Sequence, residues 1–163
     1  MRDAKFALAL ALALAGMLSA PSLALAAEEN LGKEGVFTMI VVKDAAKFNR
    51  CVMHQGKGKD VLRIASNRGG AYSLSVPTVG QGKDASLSVA IDGAPGRRIP
   101  IAGQDKQRTW ATLAPDVVDA VKAGRKTIDV ELGQARFKWR LNGDMKGSFI
   151  VLDSCVEGYL NGA

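Results

Sequence analysis

Gln134-Ala135-Arg136-Phe137-Lys138-Trp139-Arg140-Leu141 decides the fold class. Side chains alternate along an extended chain, so Phe137, Trp139 and Leu141 share one face and Arg136, Lys138 and Arg140 the other. Asn142-Gly143 then supplies the residue types of a turn. The same period of two runs through Ile128, Val130 and Leu132. Tyr72, Leu74 and Val76 alternate with Ser73 and Ser75. Leu87, Val89 and Ile91 alternate with Ser86, Ser88 and Ala90.

Further strands are expected over Val36–Lys43, Phe48–His54, Val61–Asn67 and Lys106–Leu113, where Trp110 sits. Arg97–Ile101 is a short edge strand because Pro100 cannot donate to a ladder. Turns fall at Asp44–Lys47, Gln55–Asp60, Gly69-Gly70 and Asp92-Gly93, with a loop over Pro77–Lys83. Glu28–Gly35 is polar and is expected to be loose. One helix is signalled by Pro115 at a first position, Asp116 in the first turn and Gly124 at the stop. Val117, Val118 and Val121 provide its apolar side. At the end of the chain Met145, Phe149, Leu152 and Val156 fit a short helix with Ser148 as cap, while Phe149-Ile150-Val151-Leu152 also has strand composition. The expected fold is mainly β: an antiparallel β-sandwich or partly open barrel of about eight strands with one or two short helices.

Arg2 and Lys5 precede an apolar run from Phe6 to Leu18, then Pro21 and an Ala24-Leu25-Ala26 cleavage pattern. Residues 1–26 are therefore expected to be a cleaved signal peptide, and 27–163 a single β-rich domain. The run is shorter than the roughly 20 residues a membrane helix needs, so no membrane span is expected. No cysteine follows the cleavage site to carry a lipid. The protein is expected to be periplasmic or secreted. In that compartment Cys51 and Cys155 are most simply a disulfide. They would close a loop of roughly 100 residues, worth about 4–5 kcal/mol in the chain-entropy model. A redox pair would instead sit close together as C-x-x-C.

The chain has 163 residues, 22 Lys+Arg against 16 Asp+Glu, a net charge of +6 and a single histidine. No cofactor and no metal is expected. His54 has no second histidine to complete a site, and a disulfide would take Cys51 away from it. The acids are scattered. Asp92 lies in a turn, Asp116 at a helix start, and Asp129 and Glu131 on a solvent face, so no carboxylate pair stands out. G-x-S-x-G, G-x-G-x-x-G and Walker patterns do not occur. A non-catalytic protein is expected.

The basic residues are the strongest feature outside the core. Arg136, Lys138 and Arg140 line one strand face, with Arg97 and Arg98 as further members and Lys106, Arg108, Lys122, Arg125 and Lys126 as additions. Such a surface attracts anionic polymers or acidic proteins through salt-sensitive forces, or is simply the solvated face that any exposed strand needs. The expected partner is an envelope component, an anionic surface polymer or another exported protein, not nucleic acid. Trp110 and Trp139 would suit a carbohydrate platform, but Trp139 falls in register with core residues. The alternative is an inhibitor of an exported lysozyme or protease, with Gly93–Arg98 and Gly56–Gly58 as wedges on a rigid scaffold.

The order of elements resembles the invasion-associated locus B type of small exported proteobacterial proteins. The parts that carry the likeness are Phe48-x-x-Cys51, Ile91-Asp92-Gly93, Val117–Gly124, Leu141-Asn142-Gly143 and Leu152-Asp153-x-Cys155. The resemblance implies an all-β, envelope- or surface-associated protein with a link to host-cell interaction and no established catalytic residues. Where many members carry a mid-chain cysteine pair, this chain reads Gln104-Asp105-Lys106-Gln107-Arg108.

Overall fold

The computed structural model describes residues 26–58, 60–79, 86–143 and 145–162. The expected signal peptide, apart from Ala26, lies outside them, as do residues 80–83 of the expected Pro77–Lys83 loop. The strands are β1 (Ala27–Glu34), β2 (Phe37–Asp44), β3 (Lys47–Gln55), β4 (Leu62–Asn67), β5 (Tyr72–Pro77), β6 (Ser86–Ile91), β7 (Arg97–Pro100), β8 (Gly103–Gln104), β9 (Arg108–Thr112), β10 (Thr127–Leu132) and β11 (Ala135–Arg140). The helices are α1 (Pro115–Ala123) and α2 (Lys146–Leu160). One sheet runs β1-β2-β3-β4-β5-β9-β8 and the other β11-β10-β6-β7. All neighbours pair antiparallel. Neither sheet closes on itself, so the fold is sandwich-like and not a barrel.

The inner face of the larger sheet carries Met39, Val41, Cys51, Met53, Ile64, Leu74 and Val76. These share one buried cluster with Leu87, Val89, Ile128 and Val130 of the smaller sheet and with Val117, Val121, Phe149 and Leu152 of the helices. A second, smaller cluster of Ile40, Val42, Val52 and Ala65 sits on the opposite face of the larger sheet. Both faces of β2 are thus buried, which is why Phe37–Asp44 is almost continuously apolar rather than alternating. Glu28 and Arg63 share that outer face. Their ion pair, at 2.7 Å, reaches from β1 to β4 across the second cluster.

The ambiguous last segment is a helix. Phe149, Leu152 and Val156 form its buried stripe. Ser148 does not cap it: the N-cap is Met145, and Ser148 is buried one turn inside. Besides core packing, a disulfide, a ring stack and a hydrogen bond hold α2 to the larger sheet. Cys51 of β3 is bonded to Cys155, with Cα atoms 6.2 Å apart. Phe48 stacks on Tyr159 at 5.0 Å, and the Tyr72 hydroxyl donates to Asp153 Oδ1 at 2.5 Å.

The expectation of a loose Glu28–Gly35 is overturned. This segment is β1, paired along its length with β2 and interrupted by a bulge between Asn30 and Gly32. Its side chains are almost all exposed, so backbone hydrogen bonds and two surface ion pairs, Glu28–Arg63 and Glu29–Lys43, hold it rather than apolar burial. β8 is a second unexpected strand, two residues long. Gly103 is required there because a Cβ would stand 2.4 Å from the ring of Trp110, which lies across it. Gly124 ends α1 with ordinary extended dihedrals, and its value is close packing instead, since a Cβ would lie 2.7 Å from Ile91. Asp92 anchors the chain after α1 by accepting the backbone N–H groups of Arg125, Lys126 and Thr127 at 2.6–2.9 Å.

Removing the disulfide with Cys51→Ala and Cys155→Ala should lower stability by about 2–4 kcal/mol, because α2 then closes its long loop against full chain entropy. Urea unfolding with a lower midpoint and a slope that is steeper, because the uncrosslinked unfolded chain exposes more surface, is the expected result. An unchanged midpoint would show that the non-covalent contacts of α2 suffice.

Candidate functional site

β11 is one edge of the four-stranded sheet. Its register against β10 places Arg136 opposite Glu131, Lys138 opposite Asp129 and Arg140 opposite Thr127, all on the solvent face. Two of the three cations find a carboxylate there. Arg136 meets Glu131 at 3.2 Å and Lys138 meets Asp129 at 3.0 Å. Arg140 has no carboxylate partner among the described residues. Arg98 stands opposite Ser88, and Ser88 opposite Glu131, so Arg98 lies on the same outward face. It is three strands away from β11, roughly 14 Å at ordinary strand spacing. Arg97 opposes the core residue Val89 and turns to α1 instead, where it pairs with Asp116 at 2.5 Å. The outward face is therefore a mixed surface with a cationic excess, and Arg97 is not brought to it.

Two of the other basic residues, Arg108 and Lys122, serve the scaffold, while Lys106, Arg125 and Lys126 are exposed elsewhere. Arg108 donates to the Val61 carbonyl at 2.7 Å and to the Ser75 carbonyl and hydroxyl at 2.6 and 2.9 Å. Burial and the nearby Arg63 push its guanidinium pKa down to about 10. Lys122 lies over the rings of Tyr72 and Phe149 at 5.2 and 5.0 Å.

Beside β11 opens a cleft of about 380 Å³, lined by Gly56, Asp60, Arg136, Phe137, Lys138 and Trp139. Phe137 and Trp139 stack with ring centroids 5.7 Å apart and planes 10° from parallel. Trp139 is buried, as its alternation implies, while Phe137 is half-buried. Gly56 and Asp60, which lie between β3 and β4, form the far wall, and two hydrogen bonds tie this side of the cleft to β11. Trp139 Nε1 donates to the Asp60 carbonyl at 2.9 Å, and Gln55 Nε2 donates to the Arg140 carbonyl at 2.6 Å. The site thus combines an aromatic floor, cations on its rim and an edge strand. Trp110 packs over Gly103 on the other sheet and takes no part.

Sequence reasoning missed a second row of polar residues. Thr38, His54, Arg63, Ser75 and Trp110 stand opposite one another across five strands on the outer face of the larger sheet. His54 was legible only as an isolated histidine, because nothing in the sequence aligns it with Arg63. Its Nδ1 is buried with no hydrogen-bond partner among the described residues. Burial first, and then the positive charges of Arg63 and Arg108, lower its pKa against the opposing pull of Glu28. Among the described residues, no three His, Cys, Asp or Glu side chains gather as a metal site would require. No helix among them is long and apolar enough to cross a membrane.

No protein-family model matches the chain, and no curated protein does. Among solved structures it is similar to the crystal structure of invasion associated protein b from Bartonella henselae, with a TM-score of 0.53 over 84% of this chain and 99% of that one. The two share this fold. At 16% identity the likeness is one of architecture, and it agrees with the fold that the sequence resemblance implies.

The lowered pKa of His54 has a consequence for stability. Between the folded-state pKa and the unfolded value near 6.5, the unfolded chain binds more protons, so stability falls as pH drops through that window. Urea midpoints at pH 7.5 and pH 5.5 should differ more in the native protein than in His54→Gln. Equal differences in the two proteins would remove His54 as the cause.

Proposed function

We propose that this is a non-catalytic exported protein that binds an anionic partner of the cell envelope or surface through β11 and the adjoining cleft. The observation that carries the reading is the arrangement of β11 itself. A strand with Arg136, Lys138 and Arg140 on its outward face also borders an open cleft with the Phe137–Trp139 stack as its floor. A purely solubilising charged strand has no need of such a cleft. Export is supported by the signal-peptide pattern of residues 1–26 and by the Cys51–Cys155 bond, since disulfides persist in oxidising compartments. The likeness to a protein described as invasion associated extends the reading to contact with a host cell. Chemistry is left out of the role because no nucleophile–base pair or carboxylate pair lines the cleft; Asp60 contributes its carbonyl to Trp139.

The test is capture from envelope extract by purified, oxidised protein at low and high salt. Neutralisation suits the site better than charge reversal, because glutamates at 136 and 138 would face Glu131 and Asp129 directly. The variant Arg136→Gln, Lys138→Gln, Arg140→Gln should keep the native circular dichroism spectrum and lose most of the captured material. Capture should also decline with salt as screening sets in. Undiminished capture by the triple variant would contradict a role for this face.

A further inference from the structure

Backbone parity along β11 shows what its free edge offers. In an antiparallel strand, the N–H and C=O of one residue point to the same side, and those of the next residue to the other. Leu141 N–H donates to Lys126 O at 2.8 Å, toward the β10 side. The Arg140 carbonyl instead accepts from Gln55, away from β10. Counting back from these two bonds, the backbone groups of Phe137 and Trp139 face β10, and those of Arg136 and Lys138 face outward. Arg136 and Lys138 are also the residues that line the cleft. The edge is closed at Arg140 by Gln55, and among the described residues none pairs with it over Arg136–Lys138.

We propose that an extended acidic peptide segment of a partner protein adds to β11 as a fifth strand of the small sheet. This inference rests on the proposed partner-binding role of β11 and specifies the partner's chemistry. Main-chain hydrogen bonds to Arg136 and Lys138 would hold the peptide, and side-chain pockets would choose it. Partner residues opposite Arg136 and Lys138 project on the cationic outward face, so they are acidic. The residue between them projects toward the Phe137–Trp139 stack, so it is apolar. The recognised pattern is acidic–apolar–acidic. A second copy of this chain is the wrong occupant, because two β11 edges in antiparallel contact would set Arg and Lys against Arg and Lys. Basic side chains on an edge strand suppress self-association. The same charges favour an acidic strand.

The probe is the capped pentapeptide Glu-Leu-Glu-Leu-Glu, titrated into the oxidised protein by calorimetry and followed by amide hydrogen exchange. Binding should slow exchange at the Arg136 and Lys138 amides and leave Phe137 and Trp139 unchanged, since these are already paired with β10. Lys138→Pro removes an outward N–H that the ladder does not use and should weaken binding at least about tenfold. Lys138→Ala keeps the N–H and should weaken it less. A capped Lys-Leu-Lys-Leu-Lys peptide should not bind. Failure of the acidic peptide to bind, or equal effects of Pro and Ala, would overturn strand addition. In either case the exchange experiment on the native protein decides the matter without a variant that must fold. The two proposals separate cleanly. If envelope capture still depends on Arg136, Lys138 and Arg140 while the peptide leaves the edge amides unprotected, the basic face binds its partner by side chains alone.

Discussion

The arrangement depends on how the inner face of the seven-stranded sheet is covered. A sheet of that width presents more apolar surface than a four-stranded partner can bury. α2 takes the part over β1–β4, held by Cys51–Cys155, the Phe48–Tyr159 stack and the Tyr72–Asp153 hydrogen bond. The small sheet takes the rest and meets the large one where β7 approaches β9. Because the helix occupies half of the face, the small sheet stops at four strands. β11 therefore ends as an edge next to the β3–β4 turn instead of continuing into a closed barrel. The free edge and the cleft beside the basic strand accompany that division.

At this edge, charge has two roles that do not conflict. Alternating Arg and Lys on an exposed strand are a common defence against edge-to-edge aggregation. The defence is specific in sign, since it repels basic edges and neutral copies gain little from it, whereas an acidic chain is favoured. Glu131 and Asp129 temper the attraction by pairing with Arg136 and Lys138. A partner must therefore compete with internal carboxylates, which limits nonspecific capture of polyanions. Gln55 and Asp60 close one end of the cleft and fix where such a chain would stop.

Most of the fold was legible where side chains carry the pattern. Phe137, Trp139 and Leu141 announce β11, Pro115 and Gly124 bracket α1, and Met145, Phe149, Leu152 and Val156 mark the buried stripe of α2. Strand composition competed in α2 because Ile150 and Val151 are apolar yet exposed, outside that stripe. β1 was hidden because its polar side chains say nothing about the hydrogen bonds it makes with β2. β8 was hidden because it is two residues long and includes Gly103. The partition of strands into two sheets depends on long-range pairing that no local period encodes. The site was legible as a set of cations on one strand. The structure adds what the set lacks in sequence: Arg97 leaves it for Asp116, Arg98 stays on the same face, and Gly56 and Asp60 complete the cleft.

The most direct measurement is amide hydrogen exchange along β11 in the free, oxidised protein. A free edge predicts a strict alternation: fast exchange at Arg136 and Lys138, slow exchange at Phe137 and Trp139. Uniform protection across Arg136–Arg140 would contradict it, because those outward amides would then already have a partner, and no strand could be added there.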